Sequence, residues 1–426
     1  MKKIIIKLSY TTAFLLILGS CSKNSHLKTL KDDLPRTPTS FSSNGVGSGS
    51  TFFDLRDSRD LITPFDYYGT GHATELVCYR PGKGICWILK NTKPVGEKPN
   101  FVPIYQSSNG IGSGSSYFAL DDSRDKVFAY DFERTGKLNY LVCYRPGMGA
   151  FWIFKMVNGV FNIILSSSNG VGFGSTFYDL RDSRDLIVPF DFYNTGHATQ
   201  LLCYRPGMGT CWILSNTAPL NATPRFTPIY RTSSGIGKPP EYFALNDSRD
   251  LIYPYDLKGL GSRDHLICYR PGTGEYYCFD NDPIYGFRVH FPWGISHYGV
   301  VSLGGQNPGA YFDLNSSNDR VIPFDYYGIS GNALPQGVIA YRLGAGACYI
   351  FTSWQAGGCG YLNNSGIGSG STYYFFNDPR DKVIPYDIDG TGKVDHLVCY
   401  RPGMGACWIF KHNIVTGSID NWEQIY

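Results

Sequence analysis

The chain has 426 residues, with 38 Lys plus Arg against 35 Asp plus Glu, a formal net charge of +3, 50 glycines and 15% aromatic residues. Charge this close to balance, with no run of Lys or Arg, excludes the electrostatic footprint of a nucleic-acid-binding protein. No segment is apolar for long enough to span a bilayer as a helix.

In chain order, the first feature is a basic start (Lys2, Lys3, Lys7), then an apolar stretch from Ala13 to Leu18, then Leu18-Gly19-Ser20-Cys21. That succession reads as a secretory signal over residues 1–20. The small residues before Cys21 resemble a bacterial lipobox, which implies that Cys21 is acylated and becomes the first mature residue. The membrane is then a partner through the lipid anchor. The place implied is the bacterial cell envelope, on the outer membrane, facing periplasm or exterior. Residues 21–41 are polar and read as the lipidated cysteine with a flexible tether.

From residue 42 the sequence repeats. Ser42-Ser43-Asn44-Gly45-Val46-Gly47 returns at Ser107 and Ser167, with weaker copies from Ser233 and Asn364, and the pair Tyr-Arg occurs six times from Tyr79-Arg80 through Tyr400-Arg401. The period of about 60 to 70 residues defines units at approximately 42–106, 107–166, 167–231, 232–291, 292–362 and 363–426. Within the first unit, Phe52–Leu55, Leu61–Phe65, Glu75–Tyr79 and Ile85–Leu89 read as strands, with Arg80–Gly84 as a hairpin loop and Phe101–Tyr105 as a further strand. No helical period is present. Four or so strands repeated six times predict an all-β fold, a six-bladed β-propeller. A β-solenoid and a pair of three-unit barrels are the alternatives. Trp422–Tyr426 matches Phe101–Tyr105 and is expected to close the ring beside the first unit.

The sixth unit contains Asp387-Ile388-Asp389-Gly390-Thr391-Gly392-Lys393-Val394-Asp395, then Tyr400-Arg401-Pro402-Gly403 and Trp408. These residues resemble the FG-GAP/VCBS repeat family, sharply here and partially over residues 42–426. The resemblance implies an extracellular propeller with calcium in aspartate loops. The loop's own chemistry is compatible: Asp387, Asp389, Thr391, the Lys393 carbonyl and Asp395 alternate oxygen ligands as a hard cation requires. Asp131, Glu133, Thr135 and Asn139 form a weaker set in unit two. The alternative is a hydrogen-bonded aspartate turn without metal.

Three positions are the same in all six units: Asp60, Asp66 and Arg80 with their equivalents. They read either as an Arg–Asp pair that builds each blade or as a ligand pocket per blade. Cys78 and Cys86, Cys203 and Cys211, and Cys399 and Cys407 flank hairpin loops and are expected to face each other, within reach of a disulfide. Small buried thiols are the alternative. No cysteine–histidine spacing suggests zinc.

No nucleophile elbow, zinc-protease helix or phosphate loop occurs. A non-enzymatic binding protein is therefore expected. The ligand expected first is a glycan, recognised multivalently in the manner of a lectin. The alternatives are a protein ligand in adhesion, a structural envelope role, and an enzyme with one site near the fifth repeat. That irregular region, Tyr285 to Asn307, carries Trp293, His297, Gln306 and Asn307 as a candidate ligand site, or is drift in a variable blade.

Overall fold

In the computed structural model each repeat becomes one antiparallel sheet and one small hairpin. The structure describes residues 45–259, 261–282, 286–290, 295–296, 299–301, 311–325, 337–352, 358–412 and 422–426. The first blade runs Leu61–Phe65, Glu75–Arg80, Ile85–Asn91 and Phe101–Ser107, in that spatial order. The same order recurs in six sheets, so the fold is a six-bladed β-propeller. A two-stranded hairpin, Val46–Ser48 with Thr51–Phe53 in the first unit, precedes each sheet.

The burial patterns explain the arrangement. The second strand of each blade is covered on both faces, Glu75 to Tyr79 being buried without alternation. Such a strand must lie between two sheets. The first strand is innermost, and neighbouring first strands approach each other around the centre. Pro64 is tolerated there because the free edge of an innermost strand needs no ladder donor. Each core joins two blades: Tyr79, Cys86 and Ile88 pack with Val127, Leu141 and Cys143. Fully burying one such aliphatic or aromatic side chain contributes roughly 1.5–3 kcal/mol.

Two hydrogen-bonded devices recur at the joints. A strand-two tyrosine hydroxyl accepts the backbone N–H of the next blade's innermost strand, as Tyr79 does from Val127 at 3.1 Å and Tyr144 from Ile187 at 3.2 Å. A leucine carbonyl also accepts two glycine N–H groups from the previous blade's hairpin. Gly82 and Gly84 bind Leu120 at 2.7 and 3.0 Å. The ring closes with the same parts. Tyr400 takes the Ile62 N–H at 3.1 Å, and Gly403 and Gly405 bind Leu55 at 2.9 and 3.1 Å.

The last strand, Trp422–Gln424, is the fourth of the sixth blade and pairs within that blade. Tyr426 just beyond it bonds across the closure, its hydroxyl 2.9 Å from the Gly47 nitrogen. Among the described residues no sheet exchanges a strand between the two ends of the chain.

Superposed on the sixfold repeat is an alternation of two blade types. Odd blades carry Asp54, Asp179 or Asp313 before the joint residue, a leucine except for Phe376 in blade six, where even blades carry Ala119, Ala244 or Phe375. The joints alternate as well. From odd to even, the aspartate segment takes backbone contacts of the next blade, as Asp66 N–H to Leu138 at 3.1 Å and Asp325 N–H to Val394 at 3.4 Å. From even to odd, a histidine approaches the aspartate: His197 lies 3.2 Å from Asp131 and His72 lies 3.6 Å from Asp387. The described residues thus follow a two-blade period, and the corresponding segment of blade five, residues 326–336, lies outside them.

The hairpin disulfides are not formed, and the register gives the reason. Cys78 lies opposite Trp87, and Cys86 lies opposite Tyr79. That offset of one residue turns Cys78 and Cys86 to opposite faces of the sheet. Cys203 lies opposite Trp212 and Cys399 opposite Trp408 in the same way. Cys78, Cys86, Cys203, Cys211, Cys399 and Cys407 are buried free thiols. Their neighbours belong to the next blade. Cys86 shares a core with Cys143, Cys211 with Cys268, and Cys407 with Cys78. Where blade two has Phe151 it shares a core with Cys203, and Tyr276 packs on the core of Ala340, so large residues meet small ones.

Candidate functional site

The residues shared by all blades build the blades. Arg80 grips the fully buried Asp60 with both ends of its guanidinium, at 2.6 and 3.0 Å. Arg145 grips Asp125 at 2.6 and 2.8 Å in the same way. Burial raises the Asp60 pKa, opposed by the Arg80 hydrogen bond. Such a bidentate pair pins the turn that starts the innermost strand. Asp57 belongs to the same turn and is held down to about 2, chiefly by its Arg59 hydrogen bond.

One outward side of this pair is open. In the first blade, Phe52, Asp54, Arg80, Trp87, Gln106 and Ser107 line a cleft of ≈ 490 Å³. The aspartate is half exposed and bonded to Arg80. Trp87 is braced edge-on by Phe53 at 6.0 Å and leaves part of its ring uncovered. An aromatic face, a carboxylate, a guanidinium and hydroxyl groups therefore meet in one hollow. The acid–arginine element recurs, Arg205 with Asp179 at 2.7 Å, Arg342 with Asp313, and in blade two Arg145 with Asp121, just after the joint leucine. In blade three the rim differs: Arg231 lies over Trp212 at 4.2 Å.

The aspartate loops are well ordered by their own backbone. Asp387 accepts the N–H groups of Thr391 and Gly392 at 2.9 and 2.8 Å. Asp389 receives the Lys411 ammonium at 2.9 Å, and Asp395 lies 2.7 Å from His396. In unit two Asp131 accepts from Thr135 and Gly136 at 3.0 and 2.8 Å, and Glu133 pairs with Lys155. Asn139 lies beside Gly69 of the preceding blade. Among the described residues no three acidic, histidine or cysteine side chains converge as a metal cluster. As arranged, Asp387 and Asp389 take N–H and ammonium donors, as a hydrogen-bonded aspartate turn does, while the buried Asp395 Oδ1 has no hydrogen-bond partner.

A polar chain absent from the sequence reading lies in blade four. His265 is buried, 2.6 Å from Asp264 and 3.1 Å from Asp280. His290 binds the same Asp280 at 2.9 Å. Burial opposes charge on His265, yet the hydrogen bonds to Asp264 and Asp280 outweigh it and raise its pKa. Asp280 is pushed below the usual carboxylate range by both histidines, against its own desolvation. The arrangement mirrors blade six with signs exchanged: Asp389 and Lys411 there occupy the positions of Lys258 and Asp280 here. The repeat alignment alone could have shown that exchange. Cys21 and the candidate ligand residues Trp293, His297, Gln306 and Asn307 lie outside the described residues.

No family model matches the chain, and no curated protein matches it. Among solved structures, a candidate phosphatase from Bacteroides thetaiotaomicron is 11% identical over 84% of this chain and 71% of its own, with a TM-score of 0.45. A candidate 6-phosphogluconolactonase from Bacteroides uniformis is 10% identical over 85% and 82%, with a TM-score of 0.41. At such identities and scores these likenesses carry no argument about what the chain does. What stands is architectural: the chain is a six-bladed β-propeller.

Proposed function

We propose that the protein is a multivalent carbohydrate-binding propeller held on the bacterial cell envelope by a lipid at Cys21. The observation that carries this reading is the cleft at Trp87, where a partly uncovered indole stands beside Asp54, Arg80, Gln106 and Ser107. Apolar sugar faces stack on aromatic rings, while paired charged groups and hydroxyls match sugar hydroxyls with donors and acceptors on both sides. Recurrence of the acid–arginine element in blades one, two, three and five gives several like sites, with avidity from effective concentration rather than from one tight site. The differing rims at Gln106 and Arg231 make these sites unequal.

A glycan array probed with the chain from Lys28 onward tests this directly. Binding to a related set of sugars, lost in Trp87→Ala at low density and retained at high density, is the expected result. A blank array would overturn the carbohydrate reading and favour a protein ligand.

A further inference from the structure

The first residue of each innermost strand lies opposite the joint tyrosine, so six such residues stand at one level around the centre. Lys126 faces Tyr144, Arg320 faces Tyr341 and Lys382 faces Tyr400. Leu61, Leu186 and Leu251 take the other three places. The cations are not spread evenly. They come from blades two, six and five, with Leu61 of blade one between Lys126 and Lys382, so they form one arc. The innermost strand of blade one lies directly against those of blades two and six.

Among the described residues the arc has no counter-charge of its own. Asp125, Asp319 and Asp381 adjoin the three cations in sequence, but each is gripped by its own arginine, at 2.6 to 2.7 Å. Arg320 gives one nitrogen to the carbonyls of Ser317 and Asp319, at 3.0 and 2.7 Å. Among the described residues, Lys126 and Lys382 have no hydrogen bond or ion pair. Both are only partly exposed. Burial pushes Lys382 down, and repulsion from Lys126 and Arg320 pushes it further. Burial lowers Lys126 as well. Three enclosed like charges without an acid among them are unfavourable unless something anionic joins them.

We infer that the centre of the ring binds a multivalent oxyanion, a phosphate or a carboxylate group, between Lys126, Lys382 and Arg320. The leucines opposite give the site an apolar side, so the rest of such a ligand faces Leu186 and Leu251. This site is separate from the acid–arginine clefts and independent of what they bind.

The test is a titration of the full chain with inorganic phosphate and, separately, with citrate at constant ionic strength, followed by melting temperature and calorimetry. The expected result is saturable binding of one anion per chain. The Lys126→Met/Lys382→Met double variant should weaken it at least tenfold and should melt higher than wild type in anion-free buffer, because repulsion is removed. Lys126→Arg/Lys382→Arg should keep the binding. Phosphate binding without citrate binding would name phosphate as the recognised group; citrate without phosphate would name carboxylate. Equal responses in wild type and the Met variant, or no saturable response to either anion, would overturn the inference.

Discussion

Leu55, Leu120, Leu180, Leu245 and Leu314 hold φ between 44° and 51°. An L side chain there costs roughly 1–2 kcal/mol. The geometry persists because each side chain is fully buried and each carbonyl receives two N–H groups from the neighbouring blade. Gly149 is the matching donor: at φ +79°, an added Cβ would stand 2.6 Å from the Ser168 carbonyl oxygen. Gly149→Ala should therefore destabilise the ring by at least about 1–2 kcal/mol in denaturant unfolding, whereas Met148→Ala, on the exposed hairpin tip, should be near neutral. A pH dependence belongs to this scale too. His265 has a raised pKa when folded, so its contribution is complete below its unfolded value of about 6.5 and is lost as pH rises through the folded value. The melting temperature should fall over that window, and His265→Gln should flatten the limb. An unchanged limb in that variant would assign the titration elsewhere.

At the scale of strands and loops, the Asp389–Lys411 pair predicts that millimolar calcium or a chelator leaves the melting temperature of wild type unchanged. A chelator-sensitive transition that Asp389→Ala abolishes would show that Lys411 yields the loop to the cation. The buried cysteines predict that Cys86, Cys143, Cys211 and Cys268 fail to react with a thiol reagent in the folded chain, and react without prior reduction once unfolded, since burial also pushes their pKa values up. Much of this was legible in the sequence. The strands at Glu75–Arg80 and Ile85–Asn91, their hairpin at Pro81-Gly82 and the six Arg–Asp pairs follow from alternation, turn residues and repetition. The cysteine faces did not follow, because a single residue of register decides which side Cys78 takes and spacing alone cannot fix it. The polar chain of His265, Asp280 and His290 escaped because it joins positions that only strand pairing brings together.

At the scale of the whole molecule, the two-blade unit was present in the sequence as Phe53-Asp54-Leu55 against Phe118-Ala119-Leu120, but the shared Arg and Asp residues concealed it behind a sixfold period. Since His72 stands to Asp387 as His197 stands to Asp131, residues 42–166 carry both halves of the even-to-odd joint. That fragment should assemble as a closed trimer in light scattering, and a monomer of the same fragment would refute the unit. The contact of Tyr426 with Gly47 spans 379 residues, and it has a meaning in time. Each sheet is made of consecutive strands, so a blade can form as soon as its own hairpins emerge during synthesis. Blade one, however, leaves Ile62, Leu76 and Cys78 open to water until Val398, Tyr400 and Cys407 arrive to cover them. For nearly the whole of its elongation the nascent chain therefore carries a sticky flank that only its last repeat can seal. A chain stalled or cut short anywhere but at the end of a two-blade unit keeps that flank, so such premature termination yields aggregation rather than a smaller ring.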